Sequence, residues 1–314
     1  MRVLVAGDFS GSDFKKIGLI YESLVQKINE LGHIAVFYKP DQKNSRRSGV
    51  EKVIDSFYPD YIHVATSGVL GNEVKKVCQK MKLDYTTACF SREIIENQKR
   101  IPFIGRHKKC FHDGAFKVLA ATTRIAEFLK SSGIKTAKWI PGIDTQYFNQ
   151  GSREIFARKK PILLYIYQGE AENRIESFLD LKNDGTKVVV GSGQIIDNLK
   201  DIHKDVFFAG AKKGRELVDI YSSSDVLVVP EKELFFSSTV LESLSCGTPV
   251  ATVSDNTASE ILTPSAPDSV NDNLEKAVTN ALKMDRDQCR EIAMNYSLEK
   301  SARSFMHSQI IADF

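Results

Sequence analysis

An α/β fold built as two Rossmann-like halves, each on a parallel sheet, is predicted by three features of the 314-residue chain. Short apolar runs alternate with helical periodicity from the first residue. The rhythm breaks once, at 140–160, and then restarts. The tail, 270–310, holds only helical patterns. Strands buried on both faces of a parallel sheet read as short continuous apolar runs rather than as alternation, and that is the pattern here.

The strand runs of the first half are 2–6 (RVLVA), 33–38 (HIAVFY), 61–65 (YIHVA), 85–89 (YTTAC) and 118–121 (VLAA). Residues 17–31 carry apolar positions at helical spacing, with Gly32 where a helix C-cap belongs. Pro141-Gly142, a polar stretch and a basic run ending in Pro161 read as a linker. The second half repeats the series at 161–167, 186–191, 206–210, 225–230 and 249–253, with helices expected at 214–222 and 239–245. The expected organisation is a Rossmann-like domain at 1–145, a second Rossmann-like domain at 146–300, and a terminal helix at 301–314 packing back on the first. Ligands of such sheets bind at the carboxyl ends of the strands.

Composition excludes several classes. No run approaches the ~18 apolar residues of a membrane-spanning helix, and the opening MRVLVAGD lacks the pattern of a signal peptide. Five scattered cysteines, with no C-x-x-C pair, predict a reducing, cytoplasmic setting without disulfides or a zinc site. Phosphate-loop, dinucleotide, zincin and nucleophile-elbow motifs are absent, and neither a metal nor a cofactor is expected. Asp285-Arg286-Asp287 lies between two helices and reads as a cap. His63, inside an apolar strand, reads as a satisfied core histidine. Charge is unevenly placed. Residues 1–150 carry 24 Lys and Arg against 15 Asp and Glu, whereas 151–314 carry 19 against 25. The first half therefore faces something anionic, or presents an ordinary solvated surface. Its densest cations, Lys99, Arg100, Arg106, Lys108 and Lys109, surround Ile101, Pro102, Phe103 and Ile104, which would suit peripheral contact with the inner face of a membrane. Nothing points to nucleic acid.

The remaining chemistry lies in the strand–loop–helix units of the second half. VVVGSGQ (188–194) ends a strand in Gly191-Ser192-Gly193, and PEKELFFSSTVLE (230–242) ends another and opens a helix. Backbone N–H groups at a helix start bind anions, and a nearby carboxylate can hold sugar hydroxyls; a nucleotide sugar needs both. Thr239-Val240-Leu241-Glu242 also spells a capping box, which explains the glutamate without any ligand.

Several segments together resemble the retaining nucleotide-sugar glycosyltransferases of family four, which have the GT-B fold. They are DYIHVATSGVLGNEVKKVCQKMKLDYTT (60–87), WIPGIDTQYF (139–148), IESFLDLKNDGTKVVVGSGQ (175–194), VFFAGAKKGRELVDIYSSSDVLVVP (206–230) and CREIAMNYSLEKSARSF (289–305). The pattern is most similar to bacterial GDP-mannose-dependent alpha-mannosyltransferases. The resemblance implies two domains facing a central cleft, a GDP- or UDP-hexose donor, and a lipid or glycan acceptor. It implies Glu242 as the ribose-binding carboxylate. The implied donor-binding set is Glu242, Phe236, Ser237, Ser238, Thr239, Gln168, Arg174, Gly193 and Gly18, with no catalytic residue assigned.

The chain departs from the family pattern at charged positions. Leu234 stands where a donor-sugar carboxylate belongs, and Ser237 replaces a glycine. Tyr167-Gln168 and Asn173 stand where the family carries its diphosphate-binding arginine and lysine, and Phe90 where it carries a histidine. A one-residue slip would bring Arg174 and Glu233 into those roles. Charge-assisted donors at a leaving diphosphate contribute several kcal/mol each. Two expectations follow: a hexosyltransferase whose activity is reduced or lost, or a non-catalytic homologue that binds nucleotide or glycan, or serves as partner of an active transferase.

Overall fold

The computed structural model describes residues 1–8, 15–39, 47–66, 69–90, 112, 114–167, 175–182, 184–231 and 238–310. The chain divides into two compact units, Met1–Gly142 with Leu298–Phe314, and Ile143–Ser297.

The first unit carries six parallel strands. They are β1 (Arg2–Ala6), β2 (Ile34–Tyr38), β3 (Tyr61–Val64), β4 (Thr86–Cys89), β5 (Lys117–Ala120) and β6 (Thr136–Lys138), in the order β2-β1-β3-β4-β5-β6. Val3 sits opposite Ala35 and Tyr61, so β1 lies between two strands, and it is buried from Val3 to Ala6. Among the described residues before 142, its helices are α1 (Lys15–Glu30), α2 (Arg47–Phe57), α3 (Val69–Met81) and α4 (Thr123–Ser131). One sheet face packs Leu4, Ala6, Ile62 and Val64 against α2 and α3 through Val50, Ile54, Val74 and Val77. Alternation along β3 turns His63 to the opposite face. There it meets Tyr21 of α1 and Phe305 of the last helix.

The second unit carries β7 (Ile162–Ile166), β8 (Thr186–Val190), β9 (Phe207–Gly210), β10 (Val226–Val229) and β11 (Val250–Thr252), all parallel, in the order β11-β10-β7-β8-β9. Its helices are α5 (Ile175–Leu179), α6 (Gln194–Ile202), α7 (Gly214–Ser223), α8 (Ser238–Ser245), α9 (Ser259–Leu262), α10 (Leu274–Ala281) and α11 (Arg286–Met294). Leu164, Val190 and Val229 face α7, α8 and α11. Their strand neighbours Leu163, Val189 and Val228 face α5, α6 and α10. Asp285 caps α11, accepting from the backbone N–H groups of Asp287 and Gln288 at 2.8 and 3.2 Å.

Two elements differ from the sequence reading. β6, TAK, was not among the expected strands, and it pairs with β5 across Leu119 and Ala137. The stretch read as a linker is a packed strap of the second unit. Gly151 N–H donates to Ser222 Oγ at 2.8 Å, Ser152 N–H to Asp219 Oδ1 at 2.9 Å, and Ser223 Oγ to Ser152 carbonyl at 2.7 Å. Phe148 and Phe156 pack on the core beneath it. Backbone hydrogen bonding to serines of α7 holds this polar stretch in place where strand pairing cannot.

Among the described residues, no helix is long and apolar enough to cross a membrane. The last helix, α12 (Leu298–Ile310), belongs to the first unit and packs on α1.

Candidate functional site

The site begins with α8. Val240, Leu241 and Leu244 turn inward and are buried, which leaves Glu242 half-buried at the helix flank. The helix ends in Cys246-Gly247-Thr248-Pro249 as a Schellman turn. Gly247, at φ +79°, sends its N–H to Leu244 carbonyl at 2.9 Å, and Thr248 N–H reaches Ser243 carbonyl at 2.9 Å. Pro249 then leads into β11, so α8 is fixed at the end remote from Ser238.

Glu242 is held at both oxygens. Ser238 Oγ donates to Oε1 at 2.7 Å and Tyr221 Oη donates to Oε2 at 2.9 Å. Tyr221, on α7, is fully buried. Burial, then the Glu242 carboxylate, hold its phenol well above its ordinary pKa, so it stays a donor. The capping-box reading is corrected here. Thr239 is the second residue of α8, inside the helix, and Glu242 takes a side-chain hydroxyl from one turn earlier rather than acting at a helix start. The arrangement can chemically do one thing well: an acceptor-only carboxylate, oriented by two hydroxyls, collects further hydroxyl donors.

Gly193 closes the turn between β8 and α6. It is the N-cap of α6 at φ +136°, with no side-chain cap, which leaves backbone N–H groups at the helix start. Gly191, at φ +147°, lies directly on Tyr167, where an added Cβ would stand 2.7 Å from Tyr167 Cβ and 2.9 Å from its carbonyl oxygen. Gly191→Ala is therefore expected to cost roughly 2–4 kcal/mol in urea denaturation, from backbone strain and overpacking together. A loss below ~1 kcal/mol would show that the turn yields freely.

Of the expected donor-binding residues, Ser238 and Glu242 are in contact, Thr239 follows Ser238, and Gly193 lies in the same unit. Gly18 is buried in the first turn of α1, in the other unit. Gln168, Arg174, Phe236 and Ser237 lie outside the described residues, as do the basic segment 99–109 and the alternatives Glu233, Leu234 and Asn173.

Three residues of this region were not singled out from the sequence: Tyr221, Tyr165 and Glu231. Tyr165 Oη donates to Glu231 Oε1 at 2.5 Å. For Tyr165 and Glu231 the signals are a tyrosine within an apolar strand run and an acidic residue just after another; Tyr221 sits on a helix and leaves no such mark.

In the first unit His63 and His112 are packed into the interior. His63 is fully buried between Tyr21 Oη and Thr86 Oγ1, each 2.8 Å from a ring nitrogen, as a satisfied core histidine should be. Burial lowers its pKa to about 3. His112 Nδ1 lies 2.8 Å from Thr87 Oγ1, and burial, then the charge of Lys75, lower its pKa to about 4. Phe90 packs on Trp139, with ring centroids 5.8 Å apart. Among the described residues, no three His, Cys, Asp or Glu side chains gather to hold a metal.

Residues 172–283 match the family Glycosyl transferases group 1. The chain is 26% identical to the GDP-mannose-dependent alpha-mannosyltransferase of Mycobacterium tuberculosis over 228 residues, covering 68% of this chain and 60% of that protein. It is 25% identical to the Corynebacterium glutamicum protein of the same name over 216 residues, covering 64% and 52%. The matches thus span roughly half to three-fifths of those relatives' lengths. Among solved structures, sucrose-phosphate synthase from Thermosynechococcus elongatus superposes with a TM-score of 0.74 at 14% identity, covering 98% of both chains. Anabaena HepE in complex with UDP superposes with a TM-score of 0.71 at 12% identity, covering 98% of this chain and 99% of that one. At such identities the structures establish the fold, which is GT-B.

Proposed function

We propose, from the glycosyl transferases group 1 domain at residues 172–283, that this chain is a hexosyltransferase. It takes a mannosyl or glucosyl group from a nucleotide sugar and passes it, with retention, to a lipid or glycan acceptor. The observation that carries the reading is Glu242. A half-buried carboxylate whose two oxygens are each aimed by a hydroxyl donor is built to accept the hydroxyls of a ribose. The named activity of the mannosyltransferase relatives, and the UDP in the HepE complex, favour a GDP- or UDP-linked donor. The excess of basic residues in the first half supports peripheral attachment at the inner face of a membrane, in a cytoplasmic protein.

A second reading rests on a specific feature. Gln168, Asn173 and Leu234 are uncharged where the resembling family carries charged donor-site groups. On that ground the chain is a non-catalytic homologue that binds nucleotide or glycan, or partners an active transferase.

Calorimetric titration with GDP and UDP, followed by hydrolysis assays with GDP-mannose and UDP-glucose, tests both readings. Wild-type protein is expected to bind one nucleotide, and Glu242→Ala to weaken that binding about tenfold or more, the worth of hydroxyl bonds to a charged acceptor. Glu242→Gln, which keeps an acceptor for Tyr221, controls for misfolding. Binding with turnover supports the enzyme, and binding without turnover supports the silent homologue. No binding of either nucleotide rejects the nucleotide-sugar reading.

A further inference from the structure

Among the described residues, β2 closes one edge of the first sheet. An open edge presents a row of backbone N–H and C=O groups on which another chain can pair. Ile34 N–H donates to Met1 carbonyl at 2.9 Å, and Tyr38 carbonyl accepts from Gly7 N–H at 3.2 Å, so the backbone groups of Ile34, Val36 and Tyr38 serve β1. Alternation turns those of His33, Ala35 and Phe37 outward. The segment is one that would pair readily. HIAVFY, 33–38, holds no acidic residue, lysine, arginine, proline or glycine, and Ile34 and Val36 are 51% and 38% exposed.

The last turn of α1 closes this edge from within the chain. Asn29 Oδ1 accepts from Ala35 N–H at 2.7 Å, and Asn29 Nδ2 donates to Ala35 carbonyl at 3.0 Å. One carboxamide thus fills both outward groups of Ala35, as a neighbouring strand would. His33 N–H is taken by Ile28 carbonyl at 3.3 Å. Gly32 N–H bonds Asn29 carbonyl at 3.0 Å, so the chain reverses directly after the helix and lays β2 beside Asn29. At the far end Lys39 pairs with Glu22 of α1, and its Nζ lies 4.9 Å from the centre of the Phe37 ring. A lysine charge on an edge is a further obstacle to an incoming strand.

The strand best matched to this edge is the same segment of another molecule. A two-fold antiparallel pairing centred on Ala35 would set Ile34 of each copy opposite Val36 of the other and cover both. To form it, the incoming strand must first displace two bonds that are already made and oriented within one helix–turn–strand unit. The balance shifts against pairing by the worth of those bonds. We propose that Asn29 is an edge lock, which keeps a second copy of this chain from pairing along β2. Its role lies apart from the donor site, since α1 and β2 belong to the first unit and Glu242 to the second.

The test is light scattering on the eluting full chain over a wide range of loading concentrations, with urea denaturation of each variant. Asn29→Ala is expected to self-associate about tenfold more strongly than wild type, the worth of the two freed bonds. Adding Ile34→Lys puts a charge into the contact and should return the masses to those of wild type without restoring the urea midpoint. Adding Ile202→Lys instead, at a position 72% exposed in the second unit, should not. That difference separates a lock from a contact that merely stabilises the fold, because aggregation through lost stability follows the midpoint and ignores where the lysine is placed. Should Asn29→Ala fail to fold, Asn29→Asp keeps the acceptor for Ala35 N–H, loses the donor to its carbonyl, and carries the same comparison. Wild-type masses in the Asn29 variant at every concentration would overturn the proposal. Association that both lysines reverse, or that neither reverses, would overturn it too, since the contact would then not run along β2.

Discussion

Replacing Trp139 by alanine is expected to remove about 3–5 kcal/mol of folding stability, the range for truncating a large buried aromatic. Trp139 is the chain's one tryptophan and stands first among its largest fully buried side chains. Its ring meets Phe305 at 5.1 Å, Tyr21 and Phe90 at 5.8 Å, and His63 at 6.4 Å between centroids. Its Nε1–H donates to Ser301 Oγ at 3.0 Å, and Ser301 Oγ in turn donates to Ile140 carbonyl at 2.8 Å. Truncation therefore opens a cavity, strips an edge-on partner from Phe305 and unpairs one bond that docks α12. Urea denaturation followed by circular dichroism reads the loss, and limited proteolysis should cut first within 298–310. Trp139→Phe keeps most of the ring contact and should cost only about 1–2 kcal/mol. A Trp139→Ala loss under ~1.5 kcal/mol would mean that α12 is not held by this cluster.

Acid should destabilise the first unit early. His63 and His112 have native pKa values of about 3 and about 4, both depressed chiefly by burial, against ~6.5 in an unfolded chain. Between those limits the unfolded chain binds protons that the folded chain refuses. Stability is thus full above pH ~6.5, falls as pH is lowered through it, and levels off only below the native values. Each histidine contributes about 1.4 kcal/mol per pH unit on that slope, so the two together cost roughly 4 kcal/mol from pH 7 to pH 5. Urea midpoints at pH 7.5, 6.5, 5.5 and 5.0 measure the slope. His112→Asn, which preserves a hydrogen-bonding atom toward Thr87, should nearly halve it. Stability that stays flat to pH 5.5 would mean that these rings are protonated or hydrated in the native protein.

The parallel sheets were legible because buried strands leave a plain mark. Runs such as ILLYI and VLVV have no charged residue on either face, and the helices between them fall at the right spacing. β6 escaped because three residues, TAK, carry one apolar side chain and lie at the sheet edge. The strap at 143–156 looked like a linker because its order comes from partners about 70 residues away, Asp219, Ser222 and Ser223, through backbone bonds that composition does not encode. In the site, Glu242 stood out through local spacing, but its orienting phenol lies 21 residues upstream on another helix. The pair Tyr165–Glu231 spans 66 residues and two strands, and only the sheet order brings it together.

The way the chain threads its two units has a consequence during synthesis. The second unit is one unbroken stretch, 143–297, whereas the first is assembled from residues at both sides of it. On the ribosome, the second unit can close as soon as its own stretch has emerged. The first must wait, with Tyr21, His63 and Trp139 uncovered, until Phe305 arrives some 160 residues after Trp139. The half translated first is thus the half that is completed last.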